Sequence, residues 1–205
     1  MYIAIEGIEG SGKTSIVREL ESALKKRSKK IKIRLIKEPG TTEIAQEIRQ
    51  LLFNHEMSGR TELFLFMAAR SSLLEEIQDS DDDYIISDRS LYSSLALQSK
   101  DCDDLERLYC IHHHFFKNEF PEVAFFIDLA PEKALRRKMK EQPEEINRFE
   151  LKGIGFHEAV YGRYQHMIDQ GYLVWIDGEQ SIKAIADAIL KHLDDRDIND
   201  LLSNF

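Results

Sequence analysis

The sequence predicts an α/β fold, a five-stranded parallel sheet with helices on both faces. Two observations carry the prediction. Five short apolar, β-branched runs alternate with segments whose apolar residues recur at helical spacing, and such alternation implies right-handed crossovers and a parallel sheet. The first run also leads directly through Gly7-Ile8-Glu9-Gly10-Ser11-Gly12-Lys13-Thr14 into the first helical segment.

In chain order, Tyr2 to Glu6 is the first strand, and Ile16, Val17, Leu20, Ala23 and Leu24 mark the helix behind the glycine turn. Ile31 to Ile36 is the second strand, followed by a helix with Ile44, Ala45, Ile48, Leu51 and Leu52 on one stripe. Tyr84 to Ser87, Val123 to Leu129 and Leu173 to Ile176 complete the strands. Ile182, Ile185, Ala186, Ile189, Leu190 and Leu193 give a closing helix. No composition shift divides the chain, so residues 1–205 are read as one domain large enough to bury a substantial core. Two segments read as mobile: Lys138 to Asn147, charged and broken by Pro143, and the acidic tail Asp194 to Phe205, which is expected to fray.

A formal charge of -9 over 205 residues argues against a broad nucleic-acid surface, since phosphate backbones are held by a surplus of Lys and Arg. No apolar run approaches the roughly 18 to 20 residues that span a bilayer, and the N-terminus lacks a signal-peptide pattern, which together predict a cytoplasmic protein without a membrane partner. Cys102 and Cys110 match neither a redox pair nor a zinc pattern. His112, His113 and His114 splay about 100° apart on a helix and lack a closed ligand set.

Gly7 to Thr14 fits G-x-x-x-x-G-K-[ST]. Glycines let several N–H groups turn toward one anion, and the helix N-terminus adds a favourable dipole. Lys13 is expected on the β- and γ-phosphates of a nucleoside triphosphate and the Thr14 hydroxyl on Mg²⁺. Tyr84-Ile85-Ile86-Ser87-Asp88 ends an apolar run in an acid, which puts a carboxylate at the sheet edge near that ion. Asp88 has a plainer reading as cap of the next helix.

Five motifs in order then resemble the thymidylate kinase family over nearly the whole chain: Gly7 to Thr14; Lys37-Glu38-Pro39-Gly40-Thr41-Thr42, similar to R-E-P-G-G-T; Leu63 to Arg70, similar to L-x-F-x-A-x-R; Asp88 to Gln98, similar to D-R-x-x-x-S-x-x-A-Y-Q; and Phe156 to Val160 with Tyr164. The resemblance implies a three-layer P-loop kinase fold with a short lid at about residues 136–150. It implies an ATP-dependent enzyme that phosphorylates dTMP to dTDP in dTTP biosynthesis, uses Mg²⁺ and forms a homodimer, for which Leu63 to Leu74 and Leu91 to Leu97 offer apolar faces.

The same resemblance assigns roles. Gly7, Ile8, Glu9, Gly10, Ser11, Gly12, Lys13 and Thr14 hold ATP, and Thr14 with Asp88 holds the metal. Phe66 stacks on the base, Arg70 bonds its edge, and Ser94 and Gln98, one helical turn apart, face it together. Arg49 and Arg89 grip the acceptor phosphate, and Glu9 meets the sugar 3′-hydroxyl. A Gly at position 10 marks the members that carry the catalytic arginine in the lid, for which Arg137 is the first candidate and Arg148 the second.

Three departures stand out: Lys37 for Arg, Thr41 for the second Gly of E-P-G-G-T, and Leu97 for Tyr. Lys lacks the bidentate fork, Thr disfavours positive φ, and Leu removes a ring from the base pocket. Two rival readings stay open, a kinase for another pyrimidine monophosphate and a non-catalytic P-loop nucleotide-binding protein.

Overall fold

Strand alternation decides which helices cover which face. A computed structural model describes residues 1–116, 119–141, 143–145 and 148–203. Its strands are β1 (Tyr2–Glu6), β2 (Ile33–Lys37), β3 (Tyr84–Asp88), β4 (Val123–Asp128) and β5 (Val174–Asp177). Its α-helices are α1 (Lys13–Arg27), α2 (Glu43–Asn54), α3 (Gly59–Ile77), α4 (Leu91–Gln98), α5 (Cys102–Phe116), α6 (Pro131–Glu141), α7 (Ile154–Asp169) and α8 (Ile182–Ser203). All pairings are parallel, in the order β2-β3-β1-β4-β5.

Successive strand side chains point to opposite faces. Ile3, Ile5, Phe125 and Ile127 therefore pack with Ile16, Leu20 and Leu24 of α1 and Ile185, Ile189 and Leu193 of α8. Ala4 and Phe126 turn the other way, onto Leu91 and Leu95 of α4, Leu105 of α5 and Val160 and Tyr164 of α7. A third cluster joins Ala45, Ile48 and Leu52 of α2 to Phe66 and Ala69 of α3, with Phe149 over them. Ile44 and Leu51, placed on the α2 stripe by periodicity, are exposed instead.

The predicted five strands and the α/β architecture are present, with shifted ends. β2 begins two residues later than expected because Ile31 N–H closes a turn on the Ser28 carbonyl and Lys32 N–H donates to Asp83 Oδ2. It continues to Lys37, which pairs with Asp88. The tail expected to fray extends α8 to Ser203, with Arg27 gripping Asp194 through both guanidinium nitrogens (2.6 and 2.9 Å). Asn204 and Phe205 lie outside the described residues.

Leu91, Leu95 and Ala96 are consumed by the chain's own core, so Leu91 to Leu97 offers no free apolar face. Exposed apolar side chains stand elsewhere, Phe64 on α3 and Ile111 and Phe115 on α5. No helix among the described residues is long and apolar enough to cross a membrane.

Of the three histidines, His112 is fully buried. Its Nδ1 lies 3.0 Å from a guanidinium nitrogen of Arg70, so the ring accepts there and is neutral. Burial and then the Arg70 charge push it down to about 3, from 6.5 when unfolded. Between those values the unfolded chain binds a proton that the folded chain refuses, so stability must fall as pH falls through this window. We expect the urea midpoint to drop less between pH 7 and pH 5 in His112→Asn than in the native protein.

Candidate active site

Parallel pairing in the register Ile5↔Asp88 brings the ends of β1 and β3 to one level, so the turn after β1 and the residues after β3 face each other. A cleft of ≈ 1390 Å³, open solvent included, forms there. Its floor is the Gly7 to Thr14 turn, its far wall Arg49, Phe53 and Phe66 from α2 and α3, and its roof Arg137, Lys138 and Glu141 of α6 with Phe149.

Gly10 (φ 84) and Gly12 (φ 95) occupy the left-handed region, which glycine enters without a Cβ penalty. Gly12 caps α1 without a side-chain bond, leaving the first amides of the helix facing the cleft. Lys13 folds back to donate from Nζ to the Ile8 carbonyl at 2.9 Å. Burial and then Arg89 push its ammonium down to about 8.

The Thr14 hydroxyl donates to Asp88 Oδ2 at 2.5 Å, and Lys37 Nζ stands 3.4 Å from the same oxygen. Asp88 Oδ1 is buried with no hydrogen-bond partner. Burial alone would raise this carboxyl, but Lys13, Lys37, Arg89 and the Thr14 hydroxyl hold it below its ordinary value. Asp88 is not the cap of α4: Ser90 takes that position and accepts from Tyr92 N–H.

Arg89 adopts φ 78, in the left-handed region and costly for a residue with a side chain. Its guanidinium donates to Glu9, to Ser93 Oγ at 3.0 Å and to the Gly7 carbonyl at 3.3 Å. Lys138 Nζ lies 3.6 Å from the other Glu9 oxygen. Burial would raise Glu9, yet Arg89, Lys13 and Lys138 together hold it well below the usual carboxylate range.

Most residues singled out in the sequence meet here: Gly7 to Gly10, Gly12 to Thr14, Arg49, Phe66, Asp88, Arg89, Ser94 and Arg137 line the cleft. Ser11 is buried behind the turn. Arg70 and Gln98 stand outside the lining. Arg70, expected at a base edge, lies behind the wall, where it pairs with Glu38 and donates to Ser94 Oγ at 3.1 Å. An arginine in that apolar setting is stabilised by a carboxylate more than by water it cannot reach. Gln98 keeps both amide atoms buried without partners.

Arg148, the second lid candidate, turns away from the cleft, its Nε donating to the Leu52 carbonyl (2.6 Å) and its Nη2 standing 2.7 Å from Glu62. Arg137 instead lays its guanidinium on Gly12, 3.2 Å from where a Cβ would sit, with Nε held by Glu141 at 3.1 Å. Of the expected lid, Gln142, Ile146 and Asn147 lie outside the described residues. Lys138, expected in a mobile stretch, is buried on α6.

Sequence reasoning missed Phe53 at the cleft and Glu6 beneath it, and gave no role there to Lys37, Lys138, Phe149 and His157, which lie in its motifs or its expected lid. Glu6 ends an apolar run in an acid, the signal that picked out Asp88, and was legible by the same rule. The others are brought to the cleft by tertiary packing.

A family model described as Thymidylate kinase matches residues 5–189 of the chain. A thymidylate kinase of Thermosipho melanesiensis is 37% identical, over 94% of this chain and 100% of its own length. One of Lactobacillus helveticus is 31% identical over 95% of this chain and 96% of its own, and one of Bacillus thuringiensis 28% identical over 96% and 98%.

At Gly10 a Cβ would stand 2.1 Å from the Ala134 carbonyl oxygen of α6 and 3.2 Å from Lys138 Cβ. Turn and α6 thus touch backbone to backbone, and only a residue without a side chain fits between them. Gly10→Ala should cost about 1–3 kcal/mol of folding stability in a urea titration. An unchanged midpoint would mean that α6 moves aside freely.

Proposed function

The chain belongs to the thymidylate kinase family, and we infer that it transfers the γ-phosphoryl group of ATP to dTMP, giving dTDP and ADP. One observation supports the reading beyond the family: the Gly7 to Thr14 turn shares one cleft with two arginines, an aromatic ring and a hydroxyl, Arg49, Arg89, Phe66 and Ser94, side chains suited to hold a second phosphate and a base. A nucleotide switch needs no such acceptor pocket.

In this reading the Gly7 to Thr14 amides and Lys13 hold the ATP phosphates, supported by the glycine geometry of the turn and the burial of Lys13. Thr14 and Asp88 would hold Mg²⁺, and the unpartnered Asp88 Oδ1 beside the Thr14 hydroxyl fits a hard cation that takes oxygen ligands. When bound, Mg²⁺ neutralises charge on the β- and γ-phosphates.

Arg49 and Arg89 grip the acceptor phosphate, which is already ionised and needs no strong base, so that positioning supplies most of the rate. Substrate displaces Glu9 from Arg89, freeing its carboxylate to accept from the sugar hydroxyl. Phe66 stacks on the base, and Ser94 supplies a polar contact to it. Arg70 holds Ser94 and Glu38 in place from behind. Arg137 neutralises charge on the phosphoryl group in flight, a role supported by its seat on Gly12.

The 205 residues act as one kinase domain, with α6 and the following segment to about residue 150 as the lid. We place the protein in the cytoplasm with its nucleotide substrates, with no nucleic-acid or membrane partner. It pairs as a homodimer, and exposed Phe64, Ile111 and Phe115 support a face on α3 and α5.

ADP release with ATP, Mg²⁺ and one of dTMP, dUMP, dCMP, dGMP or no acceptor tests the reading. Turnover should be strongest with dTMP, and equal slow hydrolysis in every tube would sink it. Arg137→Ala should lower kcat by on the order of 10³-fold, whereas Arg148→Ala should leave kcat within a few-fold and lower stability instead.

Phosphates favour the charged form of Lys13, which is fully present below about pH 8 and lost above it. ATP affinity measured by calorimetry should therefore weaken as pH rises through 8, and this component should vanish in Lys13→Arg, whose charge does not titrate.

A further inference from the structure

Glu6 is a carboxylate with no solvent exposure at the end of β1, one residue before the phosphate-binding turn. Its Oε1 accepts from Ser90 N–H (2.6 Å) and from the Ser90 hydroxyl (2.7 Å). Its Oε2 accepts from the Ser93 hydroxyl (2.6 Å) and the Tyr164 phenol (3.0 Å). Four donors on two oxygens satisfy the carboxylate without solvent, the condition under which a buried acid is tolerable.

Each arm of this cluster bears on Arg89. The peptide joining Arg89 to Ser90 is held at both ends, its N–H by Glu6 and its carbonyl by the Ser87 hydroxyl. The Arg89 amide on the other side donates to the Ile5 carbonyl at 3.0 Å. A non-glycine residue stays at φ 78 only where its surroundings over-determine it, and these bonds do so.

The side chain is held as well. Ser93 has one hydroxyl proton, and spending it on Glu6 leaves the oxygen lone pairs to accept from the Arg89 guanidinium at 3.0 Å. Glu6 thereby fixes the backbone of Arg89 directly and its guanidinium through Ser93.

We propose that Glu6 is a positioning residue for Arg89, setting the aim of the guanidinium at the acceptor phosphate while touching no substrate itself. The proposal rests on the reading of Arg89 as an acceptor-phosphate ligand. It predicts a selective defect, because the cluster braces the acceptor side of the cleft and makes no hydrogen bond to the Gly10 to Thr14 amides.

The test is steady-state kinetics of Glu6→Gln, with ATP and dTMP varied separately. A side-chain amide keeps the volume but removes the charge and puts a donor where an oxygen accepted, so the hydroxyls facing it must accept and turn their own protons elsewhere, Ser93 among them. The KM for dTMP should rise tenfold or more, with KM for ATP within about twofold and the far-ultraviolet circular dichroism unchanged. A KM for dTMP within twofold of the native value would overturn the proposal, as would equal rises in both constants.

If Glu6→Gln fails to fold, Ser93→Ala opens the side-chain arm alone, and the same selective rise in dTMP KM is expected. An unchanged dTMP KM there overturns the proposal equally. The native enzyme serves as the control on the underlying reading. If it phosphorylates no monophosphate, the dTMP reading fails on that control, and Glu6 is then judged by dTMP binding in equilibrium dialysis, where Glu6→Gln must bind at least tenfold more weakly than the native chain.

Discussion

The pairing of β1 with β3 in the register Ile5↔Asp88 is the constraint on which the cleft depends. Between Glu6 at the end of β1 and Tyr84 at the start of β3 lie 77 residues of chain, and only the sheet makes the strand ends neighbours. Sliding β3 by one residue would turn Asp88 to the other face and carry Arg89 with it, because strand side chains alternate. The Thr14–Asp88 contact, the Arg89–Glu9 pair and the Glu6 cluster would all be lost together. Apolar packing on both faces holds the register: Ile5 and Ile86 lie under α1, and Ala4 lies under α4.

What could be read from the sequence is what the chain determines locally. The turn from Gly7 to Thr14 is set by its own glycines and by the helix that follows, so it was legible from eight residues. Strand interiors were legible because β-branched runs are local too. Their ends were not: β2 starts where Asp83 releases the Lys32 amide and stops where Asp88 ceases to pair. Arg70 shows the same limit at the site. Its place in a motif was visible, but its engagement with Glu38, Ser94 and His112 needs α3, α4 and α5 assembled around it. Composition also hides the contact at the start of the tail, where Asp194 finds Arg27 of α1 across 167 residues of sequence.

The three departures from the family pattern acquire physical content. The position expected to suffer without glycine, Thr41, does not take up positive φ, and the unusual backbone falls on Gly40 (φ 141) instead. The Thr41 hydroxyl accepts from Lys37 N–H at 2.8 Å and donates to the Lys37 carbonyl at 2.9 Å, tying both ends of the loop with one side chain. Lys37 itself reaches Asp88 as a single point charge where a fork would demand two acceptors. Leu97 lines the cleft as an apolar surface.

The pairing of Glu9 with Arg89 and Lys138 also bears on life in a phosphate-rich solution. A tethered carboxylate competes at a local concentration that no free ion matches, since its chain holds it within reach of the guanidinium. A bare inorganic anion offers Arg89 charge and nothing more, and leaves the displaced, partly exposed Glu9 with Lys138 as its remaining ion-pair partner. An anion that brings a hydroxyl donor along repays that displacement. With Arg89 as the proposed acceptor-phosphate ligand, this internal counter-ion would filter small ions and favour ligands that carry a sugar as well as a phosphate.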